Sequence, residues 1–353
     1  MNFRAFFALA ASLAACGCSE SIIDTANADA LSFVGKDLPP LGDQVSTATH
    51  ELRWGTAQGI VRLSGLAVDD AGRFIVTDVS EGNVRVFDKT GKSTISFGSR
   101  GDGPGEFRTP AFPMSDARLR IHITDLTHRA VEVFDSTGIF QRRVTFPSLG
   151  RIDQVALDRL ERYWVVGNAI RSADQNVLFL CDSSGALIQS FLPLAQASPK
   201  GSKSSTNWAS VRRPSIAIGD SSAFVVHTLL DTIWTIHLDT LGITASALHH
   251  PAFTPAKAAA SVPRSSAQLR AWIESLLLVS NVVAYGDGAL VGYARGLYAE
   301  QSDTFVSLVR ADGSQEQFAR TPPFIGGTRN RAFGLVALSD SSVRLREFSV
   351  KLK

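Results

Sequence analysis

Three four-residue turns recur at a constant spacing in the first half of this chain of 353 residues. They begin at Asp88, Asp135 and Asp182, 47 residues apart, and each ends in a glycine three residues later. A repeat of this length with strand-rich units is typical of a propeller blade, whose four antiparallel strands must stack on neighbouring blades to bury their faces. The spacing therefore predicts an all-β protein built of repeated blades.

Each of these turns suits the junction between the third and fourth strands of a blade. The leading aspartate accepts hydrogen bonds from the turn backbone, and the final glycine takes the positive φ that such a hairpin needs. Weaker copies follow at 238–242 and 309–313, each after an insertion. The length of 46–353, less those insertions, corresponds to about six blades at this period.

The two ends of the repeat region are expected to pair with each other. The last copy, 332–352, has room for only three strands, whereas 50–54 precedes the first blade as a strand without a partner. An N-terminal strand that completes the C-terminal blade closes the ring and removes exposed edges. The sequence therefore predicts a six-bladed β-propeller closed by its N-terminal strand.

A helical insertion is predicted before blade five, at about 254–278. Pro263 opens a helix-start signal, and Leu269, Trp272 and Ile273 follow at helical spacing on one apolar stripe. Such a helix either packs on the rim of the propeller or covers its central channel. In the second case Trp272 would face a ligand or a partner.

A secretion signal is predicted over 1–15, which combines a positive start with an apolar run too short to span a bilayer. The run ends in Leu-Ala-Ala-Cys at Cys16, which resembles the lipobox of bacterial lipoproteins. The resemblance implies that Cys16 receives the lipid and that the protein is anchored in the bacterial cell envelope, at the outer membrane. The Asp-, Ala- and Asn-rich composition, with Pro39 and Pro40, predicts a flexible tether over 16–45. An ordinary soluble secretion signal is the alternative.

Composition and cysteine usage narrow the function classes. The chain is 44% hydrophobic and 19% charged with a net charge of +2, which leaves no bulk electrostatic basis for nucleic-acid binding.

Cys181 occupies the repeat position of Phe87 and Phe134, which predicts a buried apolar side chain rather than half of a disulfide. His122 and His227 fall within predicted strands and are interpreted as structural. We expect a monomer.

The segment 97–107, Phe-Gly-Ser-Arg-Gly-Asp-Gly-Pro-Gly-Glu-Phe, followed by Pro110, resembles the blade linker of six-bladed propellers of the NHL-like and TolB-like group. This group includes many bacterial surface lipoproteins. The resemblance implies that Phe107 fills the groove between two blades. It also implies a ligand site on the face formed by the connections between blades and by the loops after second strands, but it implies no particular activity.

Arginines recur on that expected face, just before predicted inner strands. Four of them would converge near the channel, where guanidinium groups suit the carboxylate, sulfate or phosphate of a small acidic ligand. Alternatively, they pair with Asp78, Asp125 and Glu106 in a network between blades. The candidate ligand-binding residues are Arg108, Arg151, Arg213, Arg331, Asp78, Asp125 and Trp272.

The sequence favours a module that binds a small or acidic ligand or an envelope protein, without a cofactor. It contains neither a Gly-x-Ser-x-Gly elbow nor a His-Glu-x-x-His pair. Six-bladed lactonases and gluconolactonases share the resembled architecture, which implies one alternative, a calcium-dependent lactonase-like hydrolase. Its Ca²⁺ ligands in the channel would be Asn168, Asp231, Asn281 and Asn330. A structural subunit of an envelope complex is a further alternative.

Overall fold

The computed structural model describes most of the chain from Leu38 onward. The described residues are 38–43, 45–54, 60, 62–170, 176–193, 214–249, 277–295, 305–319, 321–328, 330–338 and 342–349. Cys16, Arg213, Trp272 and the predicted secretion signal lie outside them. Among the described residues, no helix has the length and apolar character needed to cross a membrane.

The described strands form six four-stranded antiparallel sheets. A short 3-10 helix, η1 (Leu41–Asp43), precedes the first strand, β1 (Ser46–Arg53). Blade one is β2 (Leu63–Val68), β3 (Phe74–Asp78), β4 (Asn83–Phe87) and β5 (Ser93–Phe97). Blade two is β6 (Pro110–Ser115), β7 (Ile121–Asp125), β8 (Ala130–Phe134) and β9 (Phe140–Thr145). Blade three is β10 (Leu149–Leu157), β11 (Tyr163–Ala169), β12 (Asn176–Cys181) and β13 (Leu187–Pro193).

The remaining three blades continue the same order, with one exception at the chain ends. Blade four is β14 (Pro214–Ile218), β15 (Ser222–His227), β16 (Thr232–His237) and β17 (Ile243–Ala247). Blade five is β18 (Leu277–Tyr285), β19 (Gly288–Arg295), β20 (Phe305–Val309) and β21 (Gln315–Ala319). Blade six is β22 (Phe324–Thr328), β23 (Arg331–Leu338), β24 (Ser342–Ser349) and β1.

The first strand of each blade lies innermost, and these inner strands pack beside one another around the ring. We call the end at which they begin the linker face, because the connections between blades and the loops after second strands lie there. The opposite end, with the hairpins between first and second strands, is the hairpin face. The two faces are therefore built from different loops of every blade.

Blade six takes its outer strand from the N-terminal side of the chain. β1 pairs antiparallel with β24, from Ser46 opposite Ser349 to Arg53 opposite Ser342. His50 Nε2 lies 2.6 Å from Glu347 Oε2, although 297 positions separate the two residues. This register is the closing pairing that the sequence predicts.

Residues 38–43 pack on the propeller, although the sequence assigns them to the tether. The Ala319 N–H donates to the Pro39 carbonyl at 3.1 Å, so the segment lies along the outer strand of blade five. Leu41 is fully buried between blades five and six, in one cluster with Phe348. The propeller therefore begins before the predicted boundary at residue 46, because two leucines in this polar stretch supply apolar area for burial.

Most of the predicted helical insertion lies outside the described residues. Its last part is described, and there the prediction was wrong, because Leu277 and Leu278 begin β18. A short continuous apolar run suits a buried strand as well as a helix, and periodicity cannot distinguish them. Leu278 and Val279 are both buried.

The Asp turns have the predicted geometry. Oδ1 of Asp135 accepts hydrogen bonds from two turn N–H groups at 2.9 and 3.0 Å, and Gly138 has a φ of 87°. Asp88 and Asp182 make the same bonds. A Cβ on Gly138 would lie 2.6 Å from the Phe97 ring, so the turn also packs closely on the preceding blade.

Two packing predictions are confirmed. Phe107 is fully buried between blades one and two, in one cluster with Ile75 and Ile123. Cys181 is a free, buried thiol within blade three, and burial raises its pKa to about 12. The linker aromatic and the small thiol thus both act as core side chains.

Candidate functional site

Asp78 and Asp125 end the second strands of blades one and two on the linker face, and both are buried. Asp125 accepts the Arg108 backbone N–H at 2.6 Å and also binds N–H groups of its own loop. Asp78 accepts the Arg62 N–H at 3.1 Å in the same way. These carboxylates therefore hold the chain entering each inner strand against the loop after the second strand.

His227 fills the same structural role in blade four. It pairs with Pro214 as Asp125 pairs with Pro110, and its Nδ1 accepts the Leu229 N–H at 3.1 Å. The interpretation of His227 as structural is therefore supported, although its repeat position matches Asp125. An imidazole nitrogen replaces a carboxylate oxygen as the acceptor for the loop.

A group of charged side chains surrounds the linker between blades one and two. Arg108 donates from Nε to Asp102 Oδ1 at 2.7 Å, and its Nη2 bonds the other carboxylate oxygen. His128 Nε2 lies 2.8 Å from Asp102 Oδ1, and His128 Nδ1 lies 3.0 Å from Asp125 Oδ2. The hydrogen bonds from Arg108 and His128 hold the pKa of Asp102 well below its usual range.

A buried ion pair lies beside this group. Glu132 is fully buried, its Oε1 bonds Arg143 Nε, and its Oε2 has no hydrogen-bond partner among the described residues. Arg143 also donates to the Gly103 carbonyl at 3.1 Å, which ties the pair to the linker. Burial raises the pKa of Glu132 and outweighs the opposing effect of Arg143. We call the whole group the linker cluster: Asp102, Arg108, Asp125, His128, Glu132 and Arg143.

Arg108 and Arg151, the described candidate arginines of the linker face, form ion pairs, but not with the partners that the sequence predicts. Arg151 Nη2 lies 2.9 Å from Asp153 Oδ2, two positions along β10. Arg108 binds Asp102 rather than Glu106, whose Oε2 accepts the Gly103 N–H. Each of these arginines thus pairs with an aspartate of its own linker or strand, and both guanidinium charges are neutralised.

Arg331 does not join the other arginines, and its predicted position was wrong. It begins β23 opposite Thr328, at the hairpin after the inner strand, and therefore lies on the hairpin face. Its Nε lies 3.0 Å from Glu347 Oε1, and its guanidinium lies 5.1 Å from the Phe333 ring centroid. The weak repeat in blade six caused the error, because the inner strand had been assigned to the segment after Arg331.

The structure separates Asn330 from the other alternative calcium ligands. Asn330 lies in the same hairpin as Arg331, at the opposite end of the propeller from Asn168, which is the next-to-last residue of β11. Asn281 donates to the Phe324 carbonyl at 2.6 Å, and so links blades five and six. Asp231 follows β15 in blade four. Among the described residues, no group of three or more His, Cys, Asp or Glu side chains is arranged to hold a metal.

Another repeated polar element, on the hairpin face, was missed by sequence reasoning. In each of the first three blades, a buried aspartate in the first hairpin binds an arginine four positions later. The signal was present as Asp-x-x-x-Arg. The three pairs, with Nε–Oδ2 distances of 2.7, 2.6 and 2.7 Å, are Asp69–Arg73, Asp116–Arg120 and Asp158–Arg162.

These pairs, which we call the hairpin clasps, also connect neighbouring blades. Each arginine uses its remaining N–H groups to reach the next blade. The bonds are Arg73 to the Ser136 carbonyl at 2.8 Å, Arg120 to Glu161 Oε2 at 2.6 Å and Arg162 to the Leu238 carbonyl at 2.9 Å. The clasps therefore stabilise the stacking of blades one to four rather than form an open ligand site.

His122 belongs to the second clasp. Its Nε2 lies 3.1 Å from Asp116 Oδ2 and its Nδ1 lies 2.9 Å from the Tyr163 hydroxyl, and all three side chains are buried. Burial raises the pKa of Tyr163 to about 12, which keeps the hydroxyl protonated as a donor to Nδ1. The neutral tautomer with hydrogen on Nε2 satisfies both contacts. The structural interpretation of His122 is therefore supported.

A family model described as 6-bladed beta-propeller matches residues 58–239, slightly more than half of the chain. The chain belongs to this family, DUF5128. The six sheets extend the family architecture beyond the matched region, to the blade that β1 completes. No curated protein sequence matches the chain significantly.

Solved structures share this DUF5128 architecture. A protein described as exported, from Bacteroides fragilis, has a TM-score of 0.64 at 11% identity, over 90% of this chain and 98% of that chain. A duf4221 family member from Bacteroides vulgatus has a TM-score of 0.57 at 9% identity, over 88% and 100%. A gluconolactonase from Xanthomonas campestris has a TM-score of 0.51 at 11% identity, over 88% and 95%. At these identities the similarity shows the fold alone.

Proposed function

We propose that this protein is a lipid-anchored propeller of the bacterial cell envelope that binds a polar ligand or a partner protein through its linker face. The observation that carries the proposal is the linker cluster. There, the exposed Asp102 and Arg108 lie beside the buried Glu132, one of whose oxygens has no hydrogen-bond partner among the described residues. Buried polar groups normally find partners, so such an oxygen favours a ligand or water as its missing partner.

The pairing of the arginines refines the expected ligand. An acidic ligand must displace Asp102 from Arg108, which removes a bidentate, charge-assisted contact. A ligand or protein segment that carries donors as well as acceptors can instead bind alongside the pair. We therefore favour a polar ligand of balanced charge, or a protein loop, over a strongly acidic small molecule.

The membrane anchor is supported by the lipobox-like sequence ending at Cys16. It is tested by labelling growing cells with a palmitate analogue. The wild-type chain and Cys18→Ser should incorporate label, and Cys16→Ser should not. Equal labelling of Cys16→Ser would contradict the anchor, and a protein released into the soluble periplasm would favour the ordinary secretion signal.

The binding face is tested by crosslinking in intact envelopes with a photoreactive residue in place of Arg108. In a matched control, the photoreactive residue replaces Arg118 instead, which is exposed in a hairpin-face loop. Crosslinks specific to Arg108 would support a partner on the linker face. Crosslinks only from Arg118 would favour a structural subunit that uses the hairpin face.

Small ligands are tested by thermal melting of the purified chain with sugars, peptides and lactones, each with and without calcium. A ligand that binds only the native state must raise the midpoint. A calcium-dependent rise that a chelator reverses, together with lactone turnover, would replace this proposal with the lactonase-like hydrolase. A rise that Arg108→Ala abolishes would support the linker face.

A further inference from the structure

A cavity lies at the rim of blade six, away from the linker cluster. Its volume is about 440 Å³, and one wall is the segment of Pro40, Gly42 and Asp43. The opposite wall is formed by Thr47 and Thr49 of β1 with Arg346 and Phe348 of β24. A cavity of this size holds a small organic molecule.

The strand register explains why the second wall is a single surface. Thr47 lies directly opposite Phe348, and Thr49 lies directly opposite Arg346. Directly opposed residues two positions apart point to the same face of an antiparallel sheet. The two hydroxyls and the guanidinium therefore face the cavity together, while Phe348 is buried beneath them.

Two charged groups of this cavity have no partner among the residues that the structure describes. Neither the Arg346 guanidinium nor the Asp43 carboxylate forms an ion pair or hydrogen bond with the described residues. By contrast, on the opposite face of the same sheet, Glu347 is contacted by His50 at 2.6 Å and Arg331 at 3.0 Å. One face of blade six is thus internally neutralised, whereas the cavity presents one positive and one negative group.

We propose that this cavity binds a small zwitterion, a free amino acid or dipeptide. The carboxylate of the ligand would accept hydrogen bonds from the planar guanidinium of Arg346, and the ammonium group of the ligand would pair with the Asp43 carboxylate. The Thr47 and Thr49 hydroxyls supply further hydrogen-bonding groups between the two charges. A purely acidic or purely basic ligand meets one group of like charge, so the pair selects for both charges together.

The site goes beyond the linker-face function and does not depend on it. Its walls come from residues 40–43 and β1 on one side of the closing pairing and from β24 on the other. A ligand that bridges Asp43 and Arg346 holds these parts together. Binding should therefore stabilise ring closure as well as occupy the cavity.

The experiment is isothermal titration of the full mature chain, purified in detergent, with the dipeptide Ala-Ala. Matched probes are N-acetyl-Ala-Ala, which lacks the ammonium group, and Ala-Ala-amide, which lacks the carboxylate. We expect binding of Ala-Ala and at least about tenfold weaker binding of each blocked form, because each loses one charge-assisted contact. Equal binding of blocked and free forms, or no binding of Ala-Ala, would overturn the proposal.

Variants locate the site. Arg346→Ala and Asp43→Asn should each weaken Ala-Ala binding at least about tenfold. Arg344→Ala, an exposed change two residues along β24 and outside the cavity lining, should bind as wild type. If Arg346→Ala fails to fold, Arg346→Lys keeps the charge but loses the planar fork, and should still weaken binding. Undiminished binding by Arg346→Lys and Asp43→Asn would place the ligand elsewhere and refute the site.

Discussion

Blades one to three and blades four to six share one architecture but are held together differently. Each of the first three blades has a hairpin clasp and an Asp turn that ends in a glycine of positive φ. In blade four the positive φ falls on Leu241 instead, and the arginine of a clasp is missing four positions after Asp220. Blade five keeps a turn glycine of positive φ, Gly313, but has Arg310 in place of the leading aspartate. The first half is therefore stabilised by polar contacts that recur in each blade.

The second half has no clasp among its described residues, and the N-terminal side of the chain supplies part of its packing. Leu41 enters from the N-terminal segment to fill the interface of blades five and six, as Phe107 fills that of blades one and two from a linker. Asn281 bonds the main chain of β22, as Gln154 bonds that of β14 between blades three and four, and β1 completes the last sheet. The comparison shows that strand patterning and stacking determine the geometry of a blade. Different side chains stabilise the interfaces between blades without changing that geometry.

The strongest way to break the second half is to remove β1. Deletion of 46–53 exposes the edge of β24 and opens the ring, so we expect loss of cooperative unfolding or aggregation. Size-exclusion chromatography and thermal unfolding measure both effects. A chain that starts at residue 30 is the control and should behave as wild type. Unchanged melting of the deletion variant would refute closure by this strand.

Phe107 and Leu41, which each fill an interface between two blades, can be compared directly. Phe107→Ala should destabilise the protein by about 3–5 kcal/mol and Leu41→Ala by about 2–5 kcal/mol, because each leaves a cavity between blades. Urea denaturation measures both. Ile139→Ala, at a side chain that is 64% exposed, is the control and should change stability by less than about 0.5 kcal/mol. A negligible effect of Leu41→Ala alone would mean that the N-terminal segment detaches without cost to the ring.

The clasps can be tested through Asp116. Asp116→Asn removes the buried carboxylate that Arg120 and His122 share, while Glu161 still pairs with Arg120, and should cost about 2 kcal/mol. The matched change in the other half, Asp287→Asn in the exposed hairpin of blade five, should cost less than about 0.5 kcal/mol. Denaturant unfolding of both variants gives the difference. Similar costs would show that the clasps do not distinguish the two halves.

The Asp turns predict a smaller, pH-dependent effect. Hydrogen bonds from Thr137 and from the turn backbone lower the pKa of Asp135 in the folded state. Its contribution is therefore present above the unfolded pKa of about 4 and is lost as pH falls from there through the lower folded-state pKa. Asp135→Asn should flatten the acid side of the stability profile, measured as urea midpoints between about pH 6 and pH 2. Ser136→Ala is the control, and an identical slope in the two variants would refute this contribution.

The elements that repeat were predictable because local chemistry determines them. The period of 47 residues, the Asp turns and the burial of Phe107 and Cys181 follow from turn chemistry, strand patterning and the linker motif. The pairing of β1 with β24 was also predictable, from the count of strands. The last blade was misregistered at Arg331, because its repeat is weak and its inner strand contains two consecutive glycines.

The candidate site was predictable only in part. Asp78, Asp125, Arg108 and Arg151 lie on the linker face as expected, but their partners were not foreseen. Side-chain pairing depends on where each linker directs a flexible guanidinium, and the repeat pattern does not specify this. Glu132 gave a weak signal, since it places a charge in an otherwise apolar strand at the position of Arg85.

The sequence by itself determined the blade unit, the number of blades and the use of an N-terminal strand to close the ring. The blade unit arises from interactions within about one blade length, which a repeating pattern records, and closure follows from the count of strands left for the last copy. Only the tertiary structure decided which charges neutralise one another, that residues 38–43 belong to the propeller, and that Asp43 and Arg346 share one cavity. Such pairings join segments far apart in the chain, so they depend on the register and stacking of folded blades rather than on local preference.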